Sequence, residues 1–247
     1  MKKVFFKTND KSGRQIVMFP YLGGSGASLF KLAKELDERS DCDIFVAFPP
    51  GHMGSEIELY NNLEDLLELY CTHVKEILKP NSIFFGHSMG GVIAYYLAKR
   101  LWEYVPELKP ASIILSASPA PDFMFGKSLS TSDDAILLKE MERLGGTPEE
   151  LLENRELLDY FLPIFRADYK ILEDASKISP QSLNIPAEFI LCYKDEMTQV
   201  KNLLQWKKYI NEACMIRTMP EDAGHMYLTK YADLVADMIC DYMNLKE

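Results

Sequence analysis

Apolar positions along the chain follow two rhythms. Short runs of consecutive apolar residues bounded by turn formers read as buried strands: Val4 to Lys7, Gln15 to Pro20, Ile44 to Phe48, Ile83 to Phe85, Ser112 to Ser116, Glu188 to Tyr193 and Met215 to Met219. Between most of them the apolar residues recur at helical spacing instead. Leu29, Phe30, Ala33 and Leu36 form one face of a helix over Ala27 to Leu36, with Lys31, Lys34 and Glu35 on the other side. Leu59, Leu63, Leu66, Leu67, Tyr70, Val74 and Ile77 form a stripe that predicts one long helix from Glu56 to Leu78. Val92, Ile93, Tyr96, Leu97 and Leu101 predict a helix directly after the strand at Ile83, and two more are expected around Val200 to Ile210 and over Tyr227 to Met243. Strands alternating with helices predict an α/β domain with a mostly parallel central sheet covered on both faces.

The alternation breaks once. Residues 117–187 hold no convincing strand but several helical signals. Thr147-Pro148-Glu149-Glu150 is a capping box with proline at the first helical position, and Gly145-Gly146 suits the end of a preceding helix. Leu151, Leu152, Leu157, Leu158, Phe161, Leu162, Ile164 and Phe165 then make an apolar group too rich for one exposed helix. A helical insertion at this place is expected to cover the strand ends, where ligands of such sheets bind. The reading is one domain over residues 1–247 with a helical lid at 120–182.

Chemistry concentrates where the strand at Ile83 ends. Gly86-His87-Ser88-Met89-Gly90 lies between an apolar run and a helical pattern, so Ser88 is expected on a sharp strand-to-helix turn, with glycines where strand and helix pass closely. The helix N-terminus offers unpaired amides there, making Met89 N–H the first candidate donor to an oxyanion. The glycine-rich Pro20-Tyr21-Leu22-Gly23-Gly24-Ser25-Gly26 follows an early strand and supplies the second: Leu22 N–H, with Tyr21 and Gly23 as alternatives. It lacks the Gly-Lys-Ser/Thr ending of a phosphate-binding loop and the full dinucleotide fingerprint.

A serine hydroxyl needs a base, and a buried carboxylate to orient that base. Of four histidines only His225 follows Ser88, in the loop Asp222-Ala223-Gly224-His225-Met226. Asp195 follows the last-but-one strand, the usual place for the acid, and is preferred over Asp122 after the preceding strand and over Glu196. His52, in Pro49-Pro50-Gly51-His52-Met53-Gly54, reads as a loop or substrate-rim residue and His73 as a surface or packing residue.

Composition narrows the setting. The net charge of -10 argues against general nucleic-acid binding. No segment has the long uncharged apolar run of a membrane helix, and the apolar stretch near Met1 is too short for a signal peptide, so a cytoplasmic protein is expected; a monomer is expected as well. Cys42, Cys71, Cys192, Cys214 and Cys240 are an odd number without Cys-x-x-Cys spacing, suggesting neither a disulfide framework nor a metal site.

Over nearly its whole length the chain resembles the type II thioesterases of the α/β-hydrolase superfamily, the stand-alone editing enzymes of non-ribosomal peptide and polyketide synthetases. The resemblance rests on Phe19-Pro20-Tyr21-Leu22-Gly23-Gly24-Ser25, Gly86-His87-Ser88-Met89-Gly90-Gly91, Leu144-Gly145-Gly146-Thr147-Pro148-Glu149-Glu150, Pro163-Ile164-Phe165-Arg166-Ala167-Asp168-Tyr169-Lys170 and the Gly224-His225 loop. It implies Ser88, Asp195 and His225 as a triad that needs no cofactor or metal. The implied reaction is hydrolysis of acyl groups from the 4'-phosphopantetheine arm of an acyl or peptidyl carrier protein. Lys31 and Lys34, or Lys207 and Lys208, are possible docking sites for that acidic partner. The chain departs from the family at His52, where an arginine is usual, and at Tyr193, where a glycine is usual. Rival readings are a small-molecule carboxylesterase or lipase with the same triad, and a non-catalytic carrier-binding scaffold.

Overall fold

The computed structural model describes residues 3–124, 126–145, 154–198, 203–212 and 214–245. The seven expected strands all form: β1 Phe5–Lys7, β2 Gln15–Phe19, β3 Asp43–Ala47, β4 Ile83–His87, β5 Ser112–Ser116, β6 Ala187–Leu191 and β7 Cys214–Thr218. They make one sheet in the order β1-β3-β2-β4-β5-β6-β7. Only β1 runs antiparallel, against β3, and every later pairing is parallel. Parallel strands covered on both faces bury every position, which is why β2 to β5 are apolar through their middle residues, while β6 carries the buried Glu188, paired with Arg217 at 2.6 Å.

Period-two alternation divides those runs between two cores. Val17, Phe19, Phe84, Ile113, Leu115 and Phe189 face α2 (Leu63–Val74), α3 (Met89–Tyr104) and α5 (Arg155–Lys177). Ile16, Met18, Phe85, Ile114 and Ile190 face α1 (Phe30–Arg39) and α6 (Ala232–Asn244). Six parallel strands thus end at one edge of the sheet, with β4 and its turn at the centre.

Three helices differ from their sequence patterns. The long helix expected from Glu56 spans only Leu63–Val74, because Asn62 caps it, its side chain accepting from Asp65 N–H at 3.1 Å. Residues before Asn62 run irregularly, with Gly51 N–H donating to the Ile57 carbonyl at 2.8 Å, and Leu59 drops out of the apolar stripe at 37% exposure. The last helix is divided: a 3-10 turn over Tyr227–Thr229 precedes α6, which starts at Ala232. Around Val200 to Ile210 the described part is a 3-10 helix, Leu204–Lys208.

Between β5 and β6 lie α4 (Asp134–Leu144), closed by Gly145 at φ 71°, and the 23-residue α5, capped by Asn154. Glu173 of α5 fastens the 3-10 turn before α4, accepting from Ser130 N–H at 2.9 Å and Ser130 Oγ–H at 2.6 Å. The expected capping box at 147–150 and Leu151 and Leu152 lie outside the described residues.

The turn between β4 and α3 tolerates no side chain at two glycines. A Cβ on Gly86 would stand 2.2 Å from the Gly90 carbonyl, and one on Gly90 would stand 2.1 Å from the Phe19 carbonyl oxygen. Both obstacles are backbone. Gly86→Ala or Gly90→Ala is therefore expected to lower stability by about 3 kcal/mol or more, read as a lower urea midpoint at unchanged slope. A shift below about 0.5 kcal/mol would contradict this packing.

Candidate active site

Ser88 occupies the single residue between β4 and α3, at φ 53° and ψ −120°. A non-glycine residue there is strained, so the surroundings must hold it. Ser88 N–H donates to the Ser116 carbonyl at 2.8 Å, while its own carbonyl accepts from Gly91 N–H at 3.0 Å and Ser118 Oγ–H at 2.9 Å. Ser118 is carried by a turn at Ala117 (φ 43°) that ends β5, and its carbonyl takes the Trp206 indole N–H at 3.0 Å.

Two loops bring the other members to this serine. Asp195 follows β6 in a turn closed by its own N–H on the Cys192 carbonyl at 3.1 Å. His225 stands after β7, next to Gly224 at φ 69°. His225 Nε2 lies 2.8 Å from Ser88 Oγ, and its Nδ1 lies 2.8 Å from Asp195 Oδ2. The chain is hydrogen-bonded from end to end. Asp195 is 2% exposed, and it accepts as well from Met197 N–H at 2.9 Å and from Thr198 Oγ1–H. Burial alone would raise its pKa, but the His225 ring and these two further donors outweigh burial and hold it below the usual carboxylate range. Asp122 instead pairs with Lys208 at 2.7 Å, and the exposed Glu196 faces Arg143 at 3.8 Å. Neither reaches the imidazole.

The profile of the thioesterase domain family matches residues 14–242. The chain belongs to the thioesterase domain family. Its reaction class is hydrolysis of a thioester. Thioesterase PikA5 of Streptomyces venezuelae is 26% identical over 96% of this chain and 84% of its own length. Gramicidin S biosynthesis protein GrsT of Aneurinibacillus migulanus is 23% identical over 99% and 95%. Among solved structures, YbtT, the type II thioesterase of the yersiniabactin pathway, superimposes with a TM-score of 0.83 at 24% identity over 97% of both chains. The type II thioesterase BorB of the borrelidin cluster gives 0.82 at 23% over 96% of both.

In this thioesterase the serine opens on a cavity of about 250 Å³ whose walls include Leu22, Met53, Met141, Leu144, Phe161 and Phe165. The floor is polar and the walls are apolar, with α4 and α5 supplying the roof. Met89 N–H is at the first position of α3, where no intrahelical acceptor exists. Of the three amides considered in the glycine-rich loop, Gly23 N–H is committed to Asp168 Oδ2 at 2.7 Å, while Tyr21 and Leu22 both line the cavity beside Ser88.

Two buried histidines escaped the sequence reading. His87 of the turn is fully enclosed, with Nε2 3.1 Å from the His225 carbonyl and Nδ1 2.9 Å from Ser116 Oγ. Burial, reinforced by the His225 charge, drives its pKa down to about 3, so it is neutral. The carbonyl requires a proton on Nε2, which makes Nδ1 the acceptor of the Ser116 hydroxyl. His87 thereby ties the loop of His225 to β4. His52, expected at the rim, is 5% exposed and hydrogen-bonded to Asp168 instead. The glycines around it suggested a solvent loop, and no local pattern disclosed a partner 116 residues away. His73 is half-buried, its Nδ1 2.9 Å from the Leu69 carbonyl, in keeping with a packing role.

Proposed function

We propose that this thioesterase removes acyl groups from the phosphopantetheine arm of carrier proteins, using Ser88 as nucleophile, His225 as general base and acid, and Asp195 as its orienting carboxylate. The observation that carries this reading is the unbroken hydrogen-bonded series Asp195–His225–Ser88 at the floor of an apolar cavity. His225 Nε2 takes the Ser88 proton as Oγ attacks the thioester carbonyl. The amides of Met89 and Leu22 receive the oxyanion. The C–S bond then breaks, and the sulfur leaves with the proton held on Nε2. A water, deprotonated by the same nitrogen, attacks the acyl-serine, the free acid departs and Ser88 regains its proton.

The surroundings apportion such a substrate. The helices of 120–182 act as a lid whose apolar side chains accept the acyl chain. A second, open groove of about 540 Å³ meets the other side of His225, with Arg143, Lys194 and Lys230 on its walls and Glu196 beside them. Lys194 and Lys230, which form no ion pair among the described residues, suit the phosphate of the pantetheine arm better than Arg143, Lys34 and Lys208, which are already paired with Glu140, Glu38 and Asp122. The relatives' pathways supply the setting: YbtT comes from the yersiniabactin non-ribosomal peptide and polyketide pathway and GrsT from gramicidin S biosynthesis. No helix among the described residues is long and apolar enough to cross a membrane.

The test compares one acyl group on two leaving groups. An acyl-loaded carrier protein is expected to be cleaved with a kcat/KM at least about 100-fold above that of the same acyl group on a simple alcohol ester, a difference of roughly 2.7 kcal/mol in transition-state binding. Equal or greater activity on the ester would assign the site to a general esterase.

A further inference from the structure

His52 and Asp168 lie outside the catalytic series, yet both are almost fully enclosed, at 5% and 3% exposure. His52 belongs to the loop after β3, Asp168 to α5, and the two meet beneath the glycine-rich loop after β2. One carboxylate oxygen, Asp168 Oδ2, accepts from Gly23 N–H at 2.7 Å and stands 3.1 Å from His52 Nε2. The other ring nitrogen, Nδ1, stands 3.0 Å from the Pro50 carbonyl. Both nitrogens therefore face acceptors. A neutral imidazole carries one N–H and can satisfy one of them; the imidazolium satisfies both.

We infer that His52 is a positioning residue: as an imidazolium bound to Asp168 it fixes the carboxylate that holds Gly23 N–H, and so sets the loop presenting Leu22 N–H to the oxyanion. This rests on the oxyanion role proposed above for Leu22. The pair joins three separate elements at a point one residue from that amide. Gly23 has φ 72°, and a Cβ there would stand 2.6 Å from the Phe165 ring of α5, so the loop is also wedged against the helix that carries Asp168. Without the charge on His52 the buried carboxylate keeps Gly23 but loses its counter-ion, and repositions toward whatever donor remains.

The groups around His52 leave Asp168 as its only facing charge among the described residues. The small cavity beside it is lined by the phenols of Tyr21, Tyr60 and Tyr70 and by apolar residues of α3 and α5, including Ile93 and Ile171. Burial would lower the histidine's pKa, but the charge and hydrogen bond of Asp168 outweigh it and raise the value above the ordinary one. A histidine raised in the folded state contributes stability that is complete below about pH 6.5 and is lost as pH rises through the folded value. The loop is accordingly firmest on the acid side of that value, and kcat gains an alkaline decline that belongs to His52.

The imidazole protons test this in the wild-type protein without turnover. Nitrogen-15 spectra, with His52 assigned by its disappearance in His52→Arg, are expected to show both ring nitrogens protonated on the acid side of a titration that lies above the ordinary histidine value of about 6.5. A His52 ring that titrates at or below that ordinary value overturns the assignment. In kinetics on an acyl thioester, His52→Gln and Asp168→Asn are expected to lower kcat roughly 10- to 100-fold, short of the roughly 10²- to 10³-fold that a deleted oxyanion donor costs, with KM within about twofold. His52→Arg, a permanent cation, is expected to retain kcat and to abolish the alkaline decline. A folded His52→Gln with wild-type kcat and an unaltered pH profile overturns the positioning role alone, whereas a wild type without thioester turnover counts against the proposed function and leaves the ring titration to decide the pair.

Discussion

Ser88→Ala is expected to reduce kcat on a carrier thioester by roughly 10⁴- to 10⁶-fold while the protein remains folded. The size follows from covalent catalysis: with Oγ gone, only the oxyanion donors and substrate binding remain, and water has no base placed for direct attack. Folding should be nearly indifferent, because the Ser88 hydroxyl makes its bond to His225, and every backbone bond of residue 88 survives. Strain makes a second variant informative. A serine at φ 53° and ψ −120° sits where side chains cost about 1–3 kcal/mol, and a glycine there forfeits about 0.5–1 kcal/mol through its freer unfolded chain. Ser88→Gly should therefore be inactive and about 1 kcal/mol more stable than wild type, read as a higher urea midpoint. Loss of stability in Ser88→Gly would mean the turn is held without strain, and full turnover in Ser88→Ala would remove the serine from the mechanism.

Asp195→Asn carries the second largest expected effect, a drop in kcat of roughly 10⁴-fold. The asparagine can keep the volume and the Thr198 contact, but its amide offers His225 Nδ1 either a donor or a neutral acceptor. With the amide nitrogen facing Nδ1, the tautomer with a free electron pair at Nε2, facing Ser88, is lost, and in either orientation the imidazolium loses its counter-charge. The wild-type carboxylate stays ionised through the neutral range because its folded pKa is held low. Its pairing contributes stability that is present above about pH 4 and lost as pH falls through the folded value. Asp122→Asn is the matching control. That residue is tied to Lys208, away from the imidazole, so its substitution should leave kcat within about twofold. The reverse pattern would move the acid to the end of β5.

The central strands were legible because burial on both faces writes a signal that no local conflict obscures. β4 announces itself as Ile83-Phe84-Phe85, and the glycines after it carry their reason in their spacing, since any Cβ at Gly86 or Gly90 meets backbone. Helix boundaries were less legible. The apolar stripe through Leu59 suggested a start seven residues early, although Asn62 with Asp65 three positions on is an ordinary N-cap pattern that could have placed it. The site divides similarly. Ser88 and His225 were accessible by motif and elimination, and Asp195 by its position after a strand. His52, His87 and Ser118 were not, because their partners lie on other strands and loops. A histidine between glycines carries no mark of the carboxylate that will enclose it. What decides its role is tertiary burial, which turns an apparent rim residue into half of a buried pair.

The most direct measurement is a rapid-quench reaction of acetyl-loaded carrier protein with the wild-type enzyme, following the freed carrier thiol and the acyl mass on the peptide containing Ser88. The account predicts a thiol burst matched by an acetyl group on Ser88, which then decays as free acetate appears. Thiol release with the Ser88 peptide unmodified at every time, and undiminished in Ser88→Ala, would contradict it.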